Sequence, residues 1–488
     1  MGRRGWIVVS LLALCAAGPV WASPGPDPVV IDFEAGPGLR FQPSGGWSFQ
    51  PVRGEAPQGA VFARLAQDGL GEQPSMANQY LDAAPWRGQP IRLSAWLRAT
   101  APAASLAGLW LRIDGGEPSR QLFFDNMSDR PVAPGDWARH EIIAYVPADA
   151  ARMTFGVMKA GPGALDADEI VLAVATLDDG AVAPEAQAYL DEALDALQTR
   201  HINRATVDWP QVRDISRRLA AGAQTPSDIH PVLRVAVGLL GERHSSFRGP
   251  SAATASGAPD RPAALPRGEV IAPSVGHLAL PELMPRGEDD PLNAAYRAAL
   301  TETITRLEAD GVCRWLVDLR GDGGGNMWPM LNGLEPLLGA GPFGAFGDAD
   351  ALQSRWVRRA DQITDVGLGE AASDETTGRL AHAPVAVLFG PGTASSGEMT
   401  AIAFRGRERT RTFGAPSAGL TTANGSHRLP DGAALIITTT GVHDATGRFI
   451  SGPLTPDEAT PDEETVARAL GWLQTQDCAT PALPPSPA

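Results

Sequence analysis

The spacing of the apolar residues changes twice along this chain, and no single-layer fold satisfies all three patterns. From residue 27 to about 177 the spacing has period two. "IRLSAWLRA" puts Ile91, Leu93, Ala95 and Leu97 on one face, "LWLRID" does so with Leu109, Leu111 and Ile113, and "MTFGVM" with Met153, Phe155 and Val157. Such alternation, broken by Gly, Pro and Asp, predicts an all-β sandwich. Trp96 and Trp110 fall on the opposite faces of their strands. They are expected to pack against a second sheet; exposed, they would instead form a stacking platform for sugars. Residues 183–247 form a helical segment. "APEAQAYLDEALDALQTRH" starts at Pro184, suited to a first turn, and lines up Leu190, Leu194 and Leu197. After a Pro/Ala/Ser/Gly-rich linker, residues 268–475 alternate strand, loop and helix. "VGHLALPEL" and "CRWLVDLRG" are strands, and "PLNAAYRAALTETITRLEADG" is a helix with Tyr296, Leu300, Ile304 and Leu307 on one face. "APVAVLFG" is another strand, "SSGEMTAIAFRG" a helix, and "SHRLPDGAALIITTTGV" a hairpin around Asp431-Gly432. This alternation implies an α/β core with parallel pairing. A chain of 488 residues is in any case too long for one ordinary core. Residues 476–488 read as a flexible tail.

The ends and the charge narrow the setting. "MGRRGWIVVSLLALCAAGPVWASPG" has Arg3 and Arg4, a short apolar run and a small-residue pattern at Val20-Trp21-Ala22. Residues 1–22 therefore read as a secretory signal, and the protein as exported, periplasmic or extracellular. No later segment offers about 18 uninterrupted apolar residues, so no integral membrane segment is expected after its removal. The net charge of −16 argues against a nucleic-acid partner, which requires a basic face. Cys313 and Cys478 remain after cleavage; they either pair or stay as separate thiols. They lack zinc-ligand spacing, and neither a metal nor another cofactor is implied. Lys159 is the only lysine, and it lies in the sandwich.

Three segments carry potential chemistry. In "GPGTASSGEMTA" a strand ends in Gly390, Pro391 and Gly392, and a helix begins near Ser395. A hydroxyl there meets free N–H groups and the positive end of a helix dipole. That suits a nucleophile, with Ser396 as second choice, and equally an N-cap with Glu398. It is not a GxSxG elbow, because Thr393 stands where the first Gly belongs. "DLRGDGGGN" follows a strand with consecutive glycines, which let a backbone point N–H groups at a ligand or simply turn. "LLGERHSSF" places His244 just past a helix, where it is either structural or a base.

With "VGHLALPEL", these segments appear in the order found in the C-terminal processing peptidase and tricorn-type family of serine peptidases, which the chain resembles over roughly 185–470. Asp322 stands where that family usually has Asn. The resemblance implies a crotonase-like (ClpP/crotonase-type spiral) α/β core with a helical cap. It also implies a peptide or protein substrate, with Ser395 as nucleophile. One branch of the family uses a Ser–Lys dyad, but Leu420 occupies the lysine's place and cannot accept a proton. The His-based branch remains, with His244 as general base, a role worth about 10²–10⁴ in rate. The residue that orients it is Asn424, Ser245 or Glu242, with Asn424 preferred because it matches a side chain that supports the base in the Lys branch. His427 is a rival base. The backbone N–H groups of Gly324, Gly325 and Ser396 are the expected oxyanion donors. Asp318 and Arg320 are expected to hold the loop. No PDZ module fits between the His region and the core. The N-terminal domain is similar to jelly-roll carbohydrate-binding modules, so a glycan is a possible partner. Two other readings stand beside a peptidase: a non-catalytic binder of peptides or apolar ligands on the same fold, and a secreted esterase or glycan-targeted hydrolase.

Overall fold

The computed structural model describes residues 25–478 except 37, 42–46, 68–73, 101–105, 117–120, 129, 251–263, 286, 361 and 371–377. The leader expected at 1–22 and residues 479–488 of the tail lie outside the described residues.

Two antiparallel sheets face each other in the N-terminal region. The strand Pro90–Thr100 pairs with Ala164–Val174 and Ala138–Tyr145 in one sheet. Ala107–Gly115 pairs with Ala150–Lys159 and Gln121–Asp125 in the other. Ile91, Leu93, Ala95 and Leu97 meet Leu109, Leu111, Ile113, Met153, Phe155 and Val157 in one buried core. The alternation thus selects the inward face as expected. It also turns Trp96 and Trp110 outward, on the outer faces of two different sheets. Neither packs between the sheets, and the two do not share a platform. Trp110 is buried beside Phe124, with ring centroids 6.4 Å apart, and Arg139 lies over Trp96.

Three helices form the cap: α1 (Pro184–Arg200), α2 (Trp209–Leu219) and α3 (Pro226–Gly238). Each starts with Pro in its first turn, where the missing N–H costs nothing. Their apolar stripes close on Leu435 and Ile437 of the strand Ala434–His443. That strand pairs antiparallel with Thr422–Arg428, through a turn where Gly432 takes φ +89°.

The core is a spiral α/β unit. The strands Val275–Ala279, Arg314–Asp318, Val385–Phe389 and Thr410–Gly414 run parallel. Trp315 to Asp318 and Val385 to Phe389 are buried residue by residue, as a parallel sheet covered on both faces requires. One face carries α4 (Pro291–Ala309), α5 (Met327–Gly333) and α6 (Ser396–Ala403). The four residues of α4 that are buried are Tyr296, Leu300, Ile304 and Leu307. The other face carries α7 (Asp462–Gln474), through Ala469 and Leu473. Past α7, Cys478 forms a disulfide with Cys313, which sits just ahead of the strand Arg314–Asp318. Residues 476–478 are therefore tied to the core. Among the described residues no helix is long and apolar enough to cross a membrane.

Candidate active site

Ser395 sits where the strand Val385–Phe389 turns into α6. Thr393 fixes that turn: its buried hydroxyl donates to Leu319 O (2.8 Å) and accepts from Gly390 N (3.1 Å). Ala394 N donates to Asp322 O (3.0 Å), which joins the turn to the glycine loop. Ser395 itself takes φ +50°, ψ −116°, outside the ordinary range of an L-residue. Such a conformation costs on the order of 1–3 kcal/mol and persists only when neighbours impose it. Glu398 is one of them. Its fully buried carboxylate accepts from Ser395 N (2.9 Å), Gly419 N (2.8 Å), Leu420 N (2.8 Å) and the Ser417 hydroxyl. The capping role read from the sequence is therefore only part of what Glu398 does. It also staples loop 417–420 to the start of α6. Burial pushes its carboxyl above the usual range, against these four bonds.

His244 arrives from the loop that follows α3. Glu242 shapes this loop by accepting from His244 N (2.5 Å) and Ser245 N (3.0 Å), while His201 Nε2 lies 3.3 Å from its other face. Burial opposes the Glu242 charge, but bonds from His201, Ser245 and the two amides outweigh it and bring the pKa down to about 2. The imidazole meets two hydroxyls: Nε2 lies 3.0 Å from Ser395 Oγ, and Nδ1 lies 2.7 Å from Thr422 Oγ1. Burial lowers the imidazole pKa below its ordinary value, with Glu242 opposing. The ring is therefore neutral near pH 7. Donation from Nδ1–H to Thr422 leaves the Nε2 lone pair facing the Ser395 O–H.

The three residues expected to orient this ring do not touch it. Ser245 Oγ bonds Thr438, and Glu242 holds the loop backbone. Asn424 Nδ2 donates to the backbone carbonyl of His244 (3.2 Å), and its Oδ1 accepts from Thr438 Oγ1 (3.0 Å). Thr422 and Asn424 share one face of their strand, and the ring meets that face at Thr422, so Asn424 reaches only the His244 backbone. Thr422 was missed, although it stands only two residues past Leu420, at the start of the strand Thr422–Arg428. His427, the rival base, faces Glu192 of α1 instead (3.4 Å).

The glycine loop passes directly beside the serine. A Cβ on Gly324 would lie 2.8 Å from Ser395 Cβ and 3.3 Å from Ser396 N, and one on Gly325 would collide with Leu283 O at 1.7 Å. Both glycines take positive φ, +110° and +112°. The Gly324 N–H, expected as an oxyanion donor, is directed elsewhere: it donates to Asp322 Oδ1 (3.0 Å). Asp322 is fully buried, and its Oδ2 has no hydrogen-bond partner among the described residues. Burial, with repulsion from Glu282, pushes its pKa up to about 8 against the Gly324 bond. The N–H groups of Gly325 and Ser396 have no partner among the described residues. The Ser396 hydroxyl donates to Gly325 O (2.6 Å), so it braces the loop. Asp318 and Arg320 form a two-pronged pair (2.9 and 2.6 Å) that His277 and Asp462 extend. Burial opposes the Asp318 charge, but Arg320 and His277 hold the carboxyl well below the usual range.

A serine on a strand-to-helix turn of a ClpP/crotonase-type core, met by an imidazole from a helical cap, defines a class of crotonase-fold chains built around a serine–histidine pair. Residues 274–460 match the profile of Peptidase family S41. It is 28% identical over 298 residues to the nisin-resistance protein of Lactococcus lactis subsp. lactis, covering 60% of this chain and 89% of that one. Among solved structures it is similar to a lipoprotein from Streptococcus agalactiae (TM-score 0.49, 22% identity, 61% of this chain and 99% of the other). The sandwich is similar to a family 22 carbohydrate-binding module of Clostridium thermocellum (TM-score 0.25, 18% identity, 30% of this chain and 92% of the module).

Proposed function

We propose that the protein is an exported serine peptidase that cleaves peptide bonds through an acyl-enzyme on Ser395, with His244 as general base and Thr422 holding the imidazole. The observation that carries this reading is the relay of hydroxyl, ring and hydroxyl: 3.0 Å from Ser395 Oγ to Nε2 and 2.7 Å from Nδ1 to Thr422 Oγ1. Ser395 Oγ attacks the scissile carbonyl carbon while Nε2 takes its proton. The carbonyl electron pair moves onto oxygen, where the N–H groups of Gly325 and Ser396 receive the charge; one such donor is worth about 10²–10³ in rate. Nε2 then passes the proton to the leaving amine. Water, deprotonated by the same nitrogen, releases the acyl group. The anionic Glu242 beside the loop favours the transient imidazolium.

The match of residues 274–460 to a peptidase family supports a peptide or protein substrate, and the name of the Lactococcus relative is in keeping with one. The disulfide fits an oxidising compartment, which agrees with the leader read at 1–22. A glycan partner would need a surface other than a joint Trp96–Trp110 platform. The test is labelling with a fluorophosphonate probe. Wild type should label and Ser395→Ala should not. Labelling that survives the substitution places the nucleophile elsewhere. Absence of any labelling, together with stoichiometric ligand binding, returns the chain to the non-catalytic binder reading.

A further inference from the structure

The sandwich reaches the candidate active site. A cleft of about 570 Å³ opens at His244 and Thr422, and its lining comes from all three parts of the chain. The cap supplies Arg243 and the core supplies Leu420 and Ile450, while the opposite wall is Tyr145 and the turn at 147–149 of the sandwich. The volume is that of an ordinary ligand cleft.

This wall is mounted rigidly on the element that carries the base. Ile143 of the sandwich is buried against Ile215 of α2 and Val235 of α3, with Tyr145, Leu219 and Leu239 around them. Arg234 of α3 and Asp125 of the sandwich pair at 3.6 Å, and both side chains are nearly buried. α3 ends at Gly238, and a short, Glu242-pinned loop leads straight to His244. One helix therefore has the sandwich on its flank and the imidazole at its end. A module tethered only for targeting would not share a buried apolar seam with the cap.

The lining also indicates the occupant. Arg243, Asp149 and Glu242 bring charge to the cleft, but Glu242 is engaged by the amides of its own loop, so charge does not select the ligand. Arg243 already donates to Ala418 O (2.5 Å), which leaves its stem along the cleft. Among polar lining residues that include Asn203, Gln211 and Ser451, the bulky apolar contacts come from Tyr145, Leu420 and Ile450. We propose that the N-terminal sandwich is a wall of the substrate cleft, and that the cleft takes an extended polypeptide whose bulky apolar side chain lies between Tyr145, Leu420 and Ile450. This deepens the peptidase reading and rests on it.

The test uses the full chain and two probes of Ser395: a small alkyl fluorophosphonate, and an Ala-Ala-Phe peptidyl diphenyl phosphonate. Ala148 is exposed at the tip of the wall, away from the catalytic groups. Ala148→Trp should leave the small probe's rate within about twofold and slow the peptidyl probe by about tenfold or more, the equivalent of one lost apolar contact. Ala148→Ser should restore both rates and show that the fold tolerates change there. Equal effects on the two probes, or none on the peptidyl one, overturn the cleft assignment and leave the peptidase reading intact. Wild type that takes the small probe but never the peptidyl one overturns it too. Wild type that takes neither removes the peptidase reading, and this inference with it.

Discussion

Asp322→Asn should stabilise the protein at neutral pH and remove a pH dependence. In the folded chain the Asp322 carboxyl is fully buried, with one oxygen on Gly324 N and the other unpaired, and its pKa is pushed up to about 8 from 3.8. Unfolded, the same group ionises above about pH 4. Between those values the folded state holds a proton that the unfolded state has released. Stability therefore falls as pH rises, by up to about 1.4 kcal/mol per unit, and levels off above about 8. At pH 7 the accumulated penalty has a ceiling on the order of 4 kcal/mol. Asparagine keeps the acceptor for Gly324 N but buries an amide N–H₂ with no acceptor, which returns about 1–3 kcal/mol. A net gain of about 2 kcal/mol remains, or roughly 4–8 °C in the melting of a core of this size. Thermal unfolding of both proteins from pH 4.5 to 8.5 checks this. The variant should be the less stable protein at pH 4.5, by about 1 kcal/mol, and should overtake the wild type as pH rises toward 8. An advantage that does not change with pH, or a variant less stable throughout, would refute the assignment of a buried, protonated acid.

Three further outcomes concern the site. Thr422→Val removes the acceptor at His244 Nδ1 and should lower kcat by about 10–100-fold with little change in KM, while Thr422→Ser should recover most of it; steady-state kinetics on one peptide decides. In the proposed mechanism His244 acts as neutral imidazole, and burial holds its pKa below the ordinary 6.5, so the rate of phosphonate labelling should be lost only as pH falls below that value; a midpoint above 6.5 contradicts the buried-ring account. Glu398→Gln replaces an oxygen that accepts two donors with a nitrogen that accepts none, and should destabilise the chain by about 2–4 kcal/mol in denaturant unfolding while slowing labelling of Ser395.

Much of the architecture was legible because it follows from periodicity. The stripe Tyr296, Leu300, Ile304 and Leu307 can be buried only on one side of a helix, and Val385–Phe389 is too uniformly apolar for anything but a doubly covered strand. The serine–histidine meeting was legible because each residue belongs to a motif whose order along the chain is informative. The orienting residue was not, because alternation puts Thr422 and Asn424 on the same face of one strand, and only the line along which the His244 loop meets that strand chooses between them. The outward tryptophans misled for a related reason: alternation says which residues share a face, and says nothing about what covers it.

The oxyanion donors show the limit most sharply. Glycine at 324 and 325 signals that backbone must pass close to Ser395, and it does. A glycine leaves the direction of its own amide free, however, so a neighbour with a strong acceptor decides it. Here that neighbour is Asp322, at the one position of the loop where the chain departs from the family's usual asparagine. The acceptor is the same carboxyl that titrates near neutrality. A proton on Asp322 weakens its hold on Gly324 N, and a charge on it strengthens that hold while placing an anion beside the turn that carries Ser395, the proposed nucleophile. Both effects of ionisation work against a developing oxyanion, by removing a donor and by adding like charge. Asp322 is therefore the residue of the motif that links the geometry of the site to its protonation.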